Sequence, residues 1–231
     1  MAISKLRRDD ERCADIVSQF LDEKFYTQTS GFERVSDKER QIKGIEVKFT
    51  YDDKDYVCDE KAAIRYVNNP LHTFSLELSF IGKRDDVREG WLIDEGKINN
   101  SFLFVWIDKA KHDMLESVSD IQELEVALVD RDKILRYLEG LGWDIDRLLI
   151  KGEKMRENEN EYGGNLKKNG CKFVCSRHLV EQPVNILLSR DKLKDLSDLT
   201  LEDMIKQGLK YNKFLQNYFY KVKLNGNSAS T

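Results

Sequence analysis

Residues 44–80, GIEVKFTYDDKDYVCDEKAAIRYVNNPLHTFSLELSF, carry the pattern on which the rest of the chain is organised. Ile45, Val47 and Phe49 alternate with Glu46, Lys48 and Thr50, the period-two pattern of a half-buried strand, so Glu46 belongs to the polar face. Asp52, Asp53, Lys54 and Asp55 are turn formers that close a hairpin into a second strand predicted from Tyr56 to about Lys61. On that strand Asp59 and Lys61 share one face while Cys58 and Glu60 take the other. An antiparallel hairpin brings Glu46 beside Asp59 and Lys61.

The pattern continues through a short helical turn, Ala62 to Asn69, into a third predicted strand, His72 to Phe80. Phe74, Leu76, Leu78 and Phe80 fall on one face of it and Thr73, Ser75, Glu77 and Ser79 on the other. A carboxylate such as Glu77, amid small hydroxyls on a strand whose other face is apolar, is costly to place without a partner or a metal. Carboxylates converging on one point bind a hard cation through oxygen and leave coordination positions for water and a phosphate oxygen. A lysine beside them can orient the attacking water and offset charge developing on phosphorus.

An acid followed about a dozen residues later by Asp-x-Lys on a neighbouring strand resembles the PD-(D/E)XK, or restriction-endonuclease-like, nucleases. Glu46 stands at the first acidic position, and Asp59, Glu60 and Lys61 form the D-x-K element. The family usually has Asp, after Pro, at the first position; here it is Glu with no Pro before it, which keeps the carboxylate. The resemblance covers roughly residues 40–108 and implies an α/β fold, a restriction-endonuclease-like mixed β-sheet flanked by α-helices. It further implies Mg2+ or Mn2+ held by Glu46, Asp59 and Glu77, with Lys61 assisting the water, and hydrolysis of phosphodiester bonds in nucleic acid, expected to be DNA. Two other readings stand beside it. One is a non-catalytic nucleic-acid-binding or protein-interaction module on the same fold; the other is a structural protein whose acids are solvated, since charged residues make up 35% of the chain.

A chain of 231 residues, 40% hydrophobic and with two prolines, is long enough for one substantial core. The expected organisation is a single domain over residues 1–224, with a nuclease-like core to about residue 130, a helical and strand elaboration after it, and a disordered tail from 225 to 231. A net charge of −4 excludes a surface coated for nucleic-acid binding, so any DNA contact must be a local patch. Four cysteines without an apolar run of spanning length point to a reducing, cytoplasmic setting and no membrane. Nothing in the sequence fixes an oligomeric state.

Around this centre, residues 3–25 are predicted as an amphipathic helix, with Glu23 near its end as either an additional metal ligand or one more solvated acid. A polar linker, Thr27 to Glu39, and Gln41 precede the first strand. Gly82 to Gly90 reads as a charged loop, and Trp91 to Ile93 as a strand-like run. Phe102 to Ile107, FLFVWI, reads as a central strand buried on both faces, and Leu124 to Val129 as another strand. Asp130 or Asp132 caps a helix ending at Gly140 to Gly142, and Asp144 opens one running to about Glu157. The stretch from Asn158 to Gly170 reads as an exposed loop. Cys171, Cys175 and His178 sit at a loose zinc-like spacing, but buried thiols on one strand face are the favoured reading. A strand near Val184 to Leu188 is followed by Ser197 or Thr200 as N-cap of a helix from about Leu201. Lys167, Lys168, Lys172 and the segment from Lys206 to Lys223, which has five lysines and no acids, are the candidate DNA-contacting patches.

Overall fold

The computed structural model describes residues 5–69 and 71–200. The decisive hairpin forms as its alternation dictates: β2 (Val47–Tyr51) pairs antiparallel with β3 (Lys54–Ala62), with Val47 opposite Cys58 and Tyr51 opposite Lys54. Asp52 and Asp53 turn the chain with φ of 48° and 59°. Two consecutive left-handed residues match the twist of the flanking strands, and Asp tolerates that region better than most residues.

Among the described residues ten strands build two sheets, where the sequence pattern suggests one. In the larger, the order is β1 (Ser30–Arg34), β2, β3, β6 (Ser101–Ala110), β7 (Ile121–Asp130), β10 (Leu199–Thr200). All its pairings are antiparallel except β3 with β6, which run parallel with Asp59 opposite Phe102 and Lys61 opposite Phe104. The second sheet has the order β5 (Val87–Glu89), β4 (Thr73–Ile81), β9 (Val184–Ser189), β8 (Lys172–Cys175), all antiparallel. A parallel pair needs a long crossover, and here the crossover contains β4 and β5, which is why β4 leaves the first sheet. The fold is thus mixed α/β, with a mixed sheet, a second sheet and flanking helices.

The FLFVWI run explains the layering. Leu103, Val105 and Ile107 join Val47, Phe49 and Cys58 in a core covered by Cys13, Val17 and Leu21 of α1 (Lys5–Lys24). Phe102, Phe104 and Trp106 face the other way, into a core shared with Phe74, Leu76 and Leu78 of β4 and Ile186 of β9. That core also takes in Ile134 and Leu138 of α3 (Arg131–Gly140), Leu148 and Met155 of α4 (Ile145–Glu157), and Leu193 of α6 (Arg190–Leu196). Both faces of β6 are buried, so its sequence is continuous rather than alternating. Asp130 caps α3 and Asp144 caps α4 by accepting backbone N–H bonds, as the sequence indicates.

Several local expectations change. The linker before residue 40 contains β1 and the short α2 (Lys38–Ile42), because Val47 and Lys48 offer β2 an open edge on which residues 33 and 34 pair. The charged loop at 82–90 contains β5, and the 158–170 loop contains the short α5 (Leu166–Asn169). Trp91 to Ile93 is a turn rather than a strand: the N–H groups of Ile93 and Asp94 both donate to Gly90 O, at 3.1 and 3.0 Å. Gly90 lies so close to β4 that a Cβ there would stand 2.4 Å from the Glu77 carbonyl oxygen. The apolar residues Leu92 and Ile93 are buried all the same, which is what made the run look like a strand. Ser197 ends α6 rather than opening a helix, and the expected helices at 201–207 and 206–223 lie outside the described residues, as does the tail. Among the described residues no helix is long and apolar enough to cross a membrane.

The turn after β5 is held by one side chain. The Arg131 guanidinium donates to Leu92 O at 2.9 Å, Asp94 O at 2.8 Å and Lys97 O at 3.2 Å, and burial lowers its pKa. Replacing it should take this donor from the Leu92 and Lys97 carbonyls, while the Asp94 carbonyl keeps the Lys97 N–H at 3.1 Å. Arg131→Ala is expected to cost about 3 kcal/mol in denaturant unfolding and to raise amide exchange selectively over residues 91–97. Unchanged exchange there would mean that the turn stands without it.

Candidate active site

The face of β3 that carries Asp59 and Lys61 looks toward the second sheet, and the face that carries Glu60 looks toward α1. This follows from strand alternation, and it separates three adjacent charged residues into two environments. Asp59 is 4% exposed, and Lys61 Nζ donates to its Oδ1 at 2.8 Å. One residue ahead of the Val47–Cys58 pair, Glu46 lies level with Asp59, its N–H donating to Cys58 O at 3.0 Å. Its carboxylate accepts the Glu60 N–H at 2.9 Å, because the Glu46 carbonyl is already taken by the Val35 N–H at 2.8 Å and the ladder ends there.

Glu77 reaches the same region from β4 across the gap between the sheets. Its carboxylate accepts the Trp91 N–H and feels the positive charges of Lys61 and Lys97. Lys97 also faces Asp59, and its ammonium donates to Ile42 O at 2.5 Å, over the chain that enters β2. Trp91 lies under Lys61, whose ammonium is 5.1 Å from the ring centroid. The hairpin residues Glu46, Asp59 and Lys61 are therefore gathered with Glu77 facing them, but Glu77 comes from a different sheet rather than from a neighbouring strand.

Burial pushes up all three carboxyls. For Glu46 burial and the nearby Asp59 charge together outweigh Lys61 and raise the pKa to about 7. Asp59 is raised by burial against the opposing pull of Lys61, and Glu77 by burial against Lys61 and the Trp91 N–H. Carboxyls whose pKa burial raises in an oxygen-rich site are suited to exchange a proton for a cation. Among the described residues no three His, Cys, Asp or Glu side chains are gathered as a metal-holding group. Magnesium commonly takes only one or two carboxylates and completes its shell with water and phosphate oxygens, and Glu46 and Asp59, level on adjacent strands, are the residues that could serve as such a pair.

On the α1 side, Glu60 is bound by four donors. Tyr26 Oη donates at 2.7 Å, Ser18 Oγ at 3.1 Å, and Arg34 Nη1 and Nη2 at 2.9 and 3.0 Å. Arg34 also forks onto Asp22 at 2.6–2.9 Å. The acid that α1 contributes to this network is therefore Asp22, one turn after Ser18, whereas Glu23 is exposed and accepts from Gln19 at 3.0 Å. Asp22 shares the helix face of Ser18, which meets Glu60, and that shared face distinguishes it from Glu23. Arg34, Tyr26, Lys97 and Trp91 carried no motif; each arrives through a turn or an edge strand. Gln41 holds Val35 O at 2.9 Å rather than reaching a carboxylate.

The other candidates separate. Cys171 is buried, with its thiol pushed up to about 11 by that burial; Cys175 is half-buried and His178 exposed, consistent with thiols that serve packing. Lys167, Lys168 and Lys172 are exposed, and the Lys206 to Lys223 segment lies outside the described residues.

The raised Glu46 pKa fixes a sign. The folded state holds a proton on Glu46 up to about pH 7, whereas the unfolded chain releases it near 4.3, so this stabilisation is full below about pH 4.3 and lost as pH rises through about 7. Glu46→Gln keeps an acceptor for the Glu60 N–H and removes the charge. It should match wild type near pH 4.5 and exceed it at about pH 8 by about 3 kcal/mol in urea unfolding. A variant weaker than wild type at the higher pH would show that the ionised carboxylate is itself stabilising.

No protein-family model, no curated protein and no solved structure matches this chain.

Proposed function

We propose that this protein is a divalent-metal-dependent hydrolase of phosphodiester bonds in DNA, built on a restriction-endonuclease-like core. The observation that carries the reading is the pairing of Asp59 with Lys61 on one strand face at 2.8 Å, level with a Glu46 carboxylate that burial holds near neutrality. Glu46 and Asp59 would hold Mg2+ or Mn2+, with Glu77 facing them. When bound, the ion would supply charge neutralisation for the phosphate and a more acidic bound water. Lys61 orients the water for attack and balances negative charge that grows on the phosphate oxygens. Water oxygen bonds to phosphorus as the bond to the leaving oxygen breaks, the water proton passes to an acceptor, and the leaving oxygen takes a proton. The Glu60 N–H fixes Glu46, and Arg131 fixes the turn that carries Trp91 and Lys97.

A second reading, a DNA- or protein-binding module without turnover, is favoured by one observation: the Lys61 ammonium already pairs with and neutralises Asp59.

The two readings part on rate. With labelled single-stranded, duplex and branched DNA and magnesium, Lys61→Ala should lower turnover by about a hundredfold or more, the scale of one proton-transfer or charge-balancing group, with binding little changed. Asp59→Asn should remove both the magnesium response and cleavage. Absence of cleavage by the wild type on every substrate, or full activity in Lys61→Ala, would leave the binding module.

A further inference from the structure

The candidate carboxylate and lysine open into a groove of about 690 Å³. Ser18 and Leu21 of α1 line one side, Phe74 of β4 and Trp91 the other, with Glu46 and Lys61 also on its lining. A space of this size encloses a small ligand, the scale of a nucleotide or two, and not a section of duplex. The charges on its lining include Asp15, Glu46 and Glu60 against Arg34 and Lys61, and Arg34 is already committed to Asp22 and Glu60. Such a groove does not attract DNA through phosphate charge, and a chain of net charge −4 does little to help. What it offers is apolar and aromatic surface from Phe74 and half-buried Trp91, the Trp91 ring carrying the Lys61 ammonium 5.1 Å from its centroid, so that a base and its phosphate would meet ring and ammonium together. In a duplex the base faces are stacked on one another and cannot meet such a ring; in an unpaired strand they are free to.

We propose that the substrate is an unpaired DNA strand, a single strand or the unpaired arm of a branched or frayed end, with a base against Trp91 and the adjoining phosphodiester at Glu46, Asp59 and Lys61. This rests on the phosphodiesterase reading above and adds the class of strand.

The test uses the full chain with Lys61 intact, EDTA to suppress turnover in the binding arm, and a fluorescein-labelled strand of about 12 nucleotides, single or annealed to its complement. Anisotropy titration should give at least about tenfold tighter binding of the single strand than of the blunt duplex, and Trp91→Ala should remove about tenfold of that while Trp91→Phe retains most of it. Cleavage by the wild-type chain with magnesium should map to the unpaired arm of a flapped duplex. Equal or tighter binding of the duplex, cuts confined to paired DNA, or an unaffected Trp91→Ala overturns the strand assignment and leaves phosphodiester hydrolysis standing. No cleavage of any DNA, together with no magnesium-induced rise in melting temperature of the wild type, overturns the underlying reading instead.

Discussion

The parallel pairing of β3 with β6 in the middle of a sheet covered on both faces is the constraint from which the rest of the architecture follows. Two parallel neighbours cannot be joined by a tight turn, so the intervening chain must leave the sheet and return. It does so through β4, β5 and the turn held by Arg131, and those are the elements that set Glu77, Trp91 and Lys97 opposite β3. The same pairing buries β6 from Ser101 to Ile107, and the two cores it separates are built from its alternate residues.

Electrostatically the site is a compromise between burial and pairing. Two acids and a lysine on adjacent strands would be unremarkable in water. Here desolvation is the largest influence on Glu46, Asp59 and Glu77 alike; the Lys61 ammonium answers to all three and Lys97 to Asp59 and Glu77. Glu60, on the opposite face of the same strand, meets the reverse situation: with Arg34, Tyr26 and Ser18 around it, its carboxylate is fully hydrogen-bonded. One strand thus places Glu60, held by four donor atoms, next to Asp59, held by the Lys61 ammonium, with Glu46 level with Asp59 on the neighbouring segment. Hydrogen-bonded networks lock geometry, whereas acids whose pKa burial has raised exchange protons and cations more readily. The N–H of Glu60 joins the two, since it is the donor that holds Glu46.

Sequence and tertiary structure divide the explanation along a physical line. Alternation determined by itself that Asp59 and Lys61 share a face, that Glu46 lies beside them and that Glu60 does not, because strand pleating has period two whatever surrounds it. The caps Asp130 and Asp144, the turn at Asp52 and Asp53, and the doubly buried FLFVWI strand were legible for the same reason: each is a local rule of backbone geometry and burial. What only the tertiary structure decided is which long-range partners meet. That β4 lies in a second sheet, that residues 30–34 add a strand to β2, that Trp91 and Lys97 come to Lys61, and that Asp22 rather than Glu23 joins the Arg34 network all depend on chain segments far apart in sequence. A sequence repeats its local periodicity in every residue, but it does not mark which of two equally apolar strands will cover which face; that choice is made by packing the whole core at once.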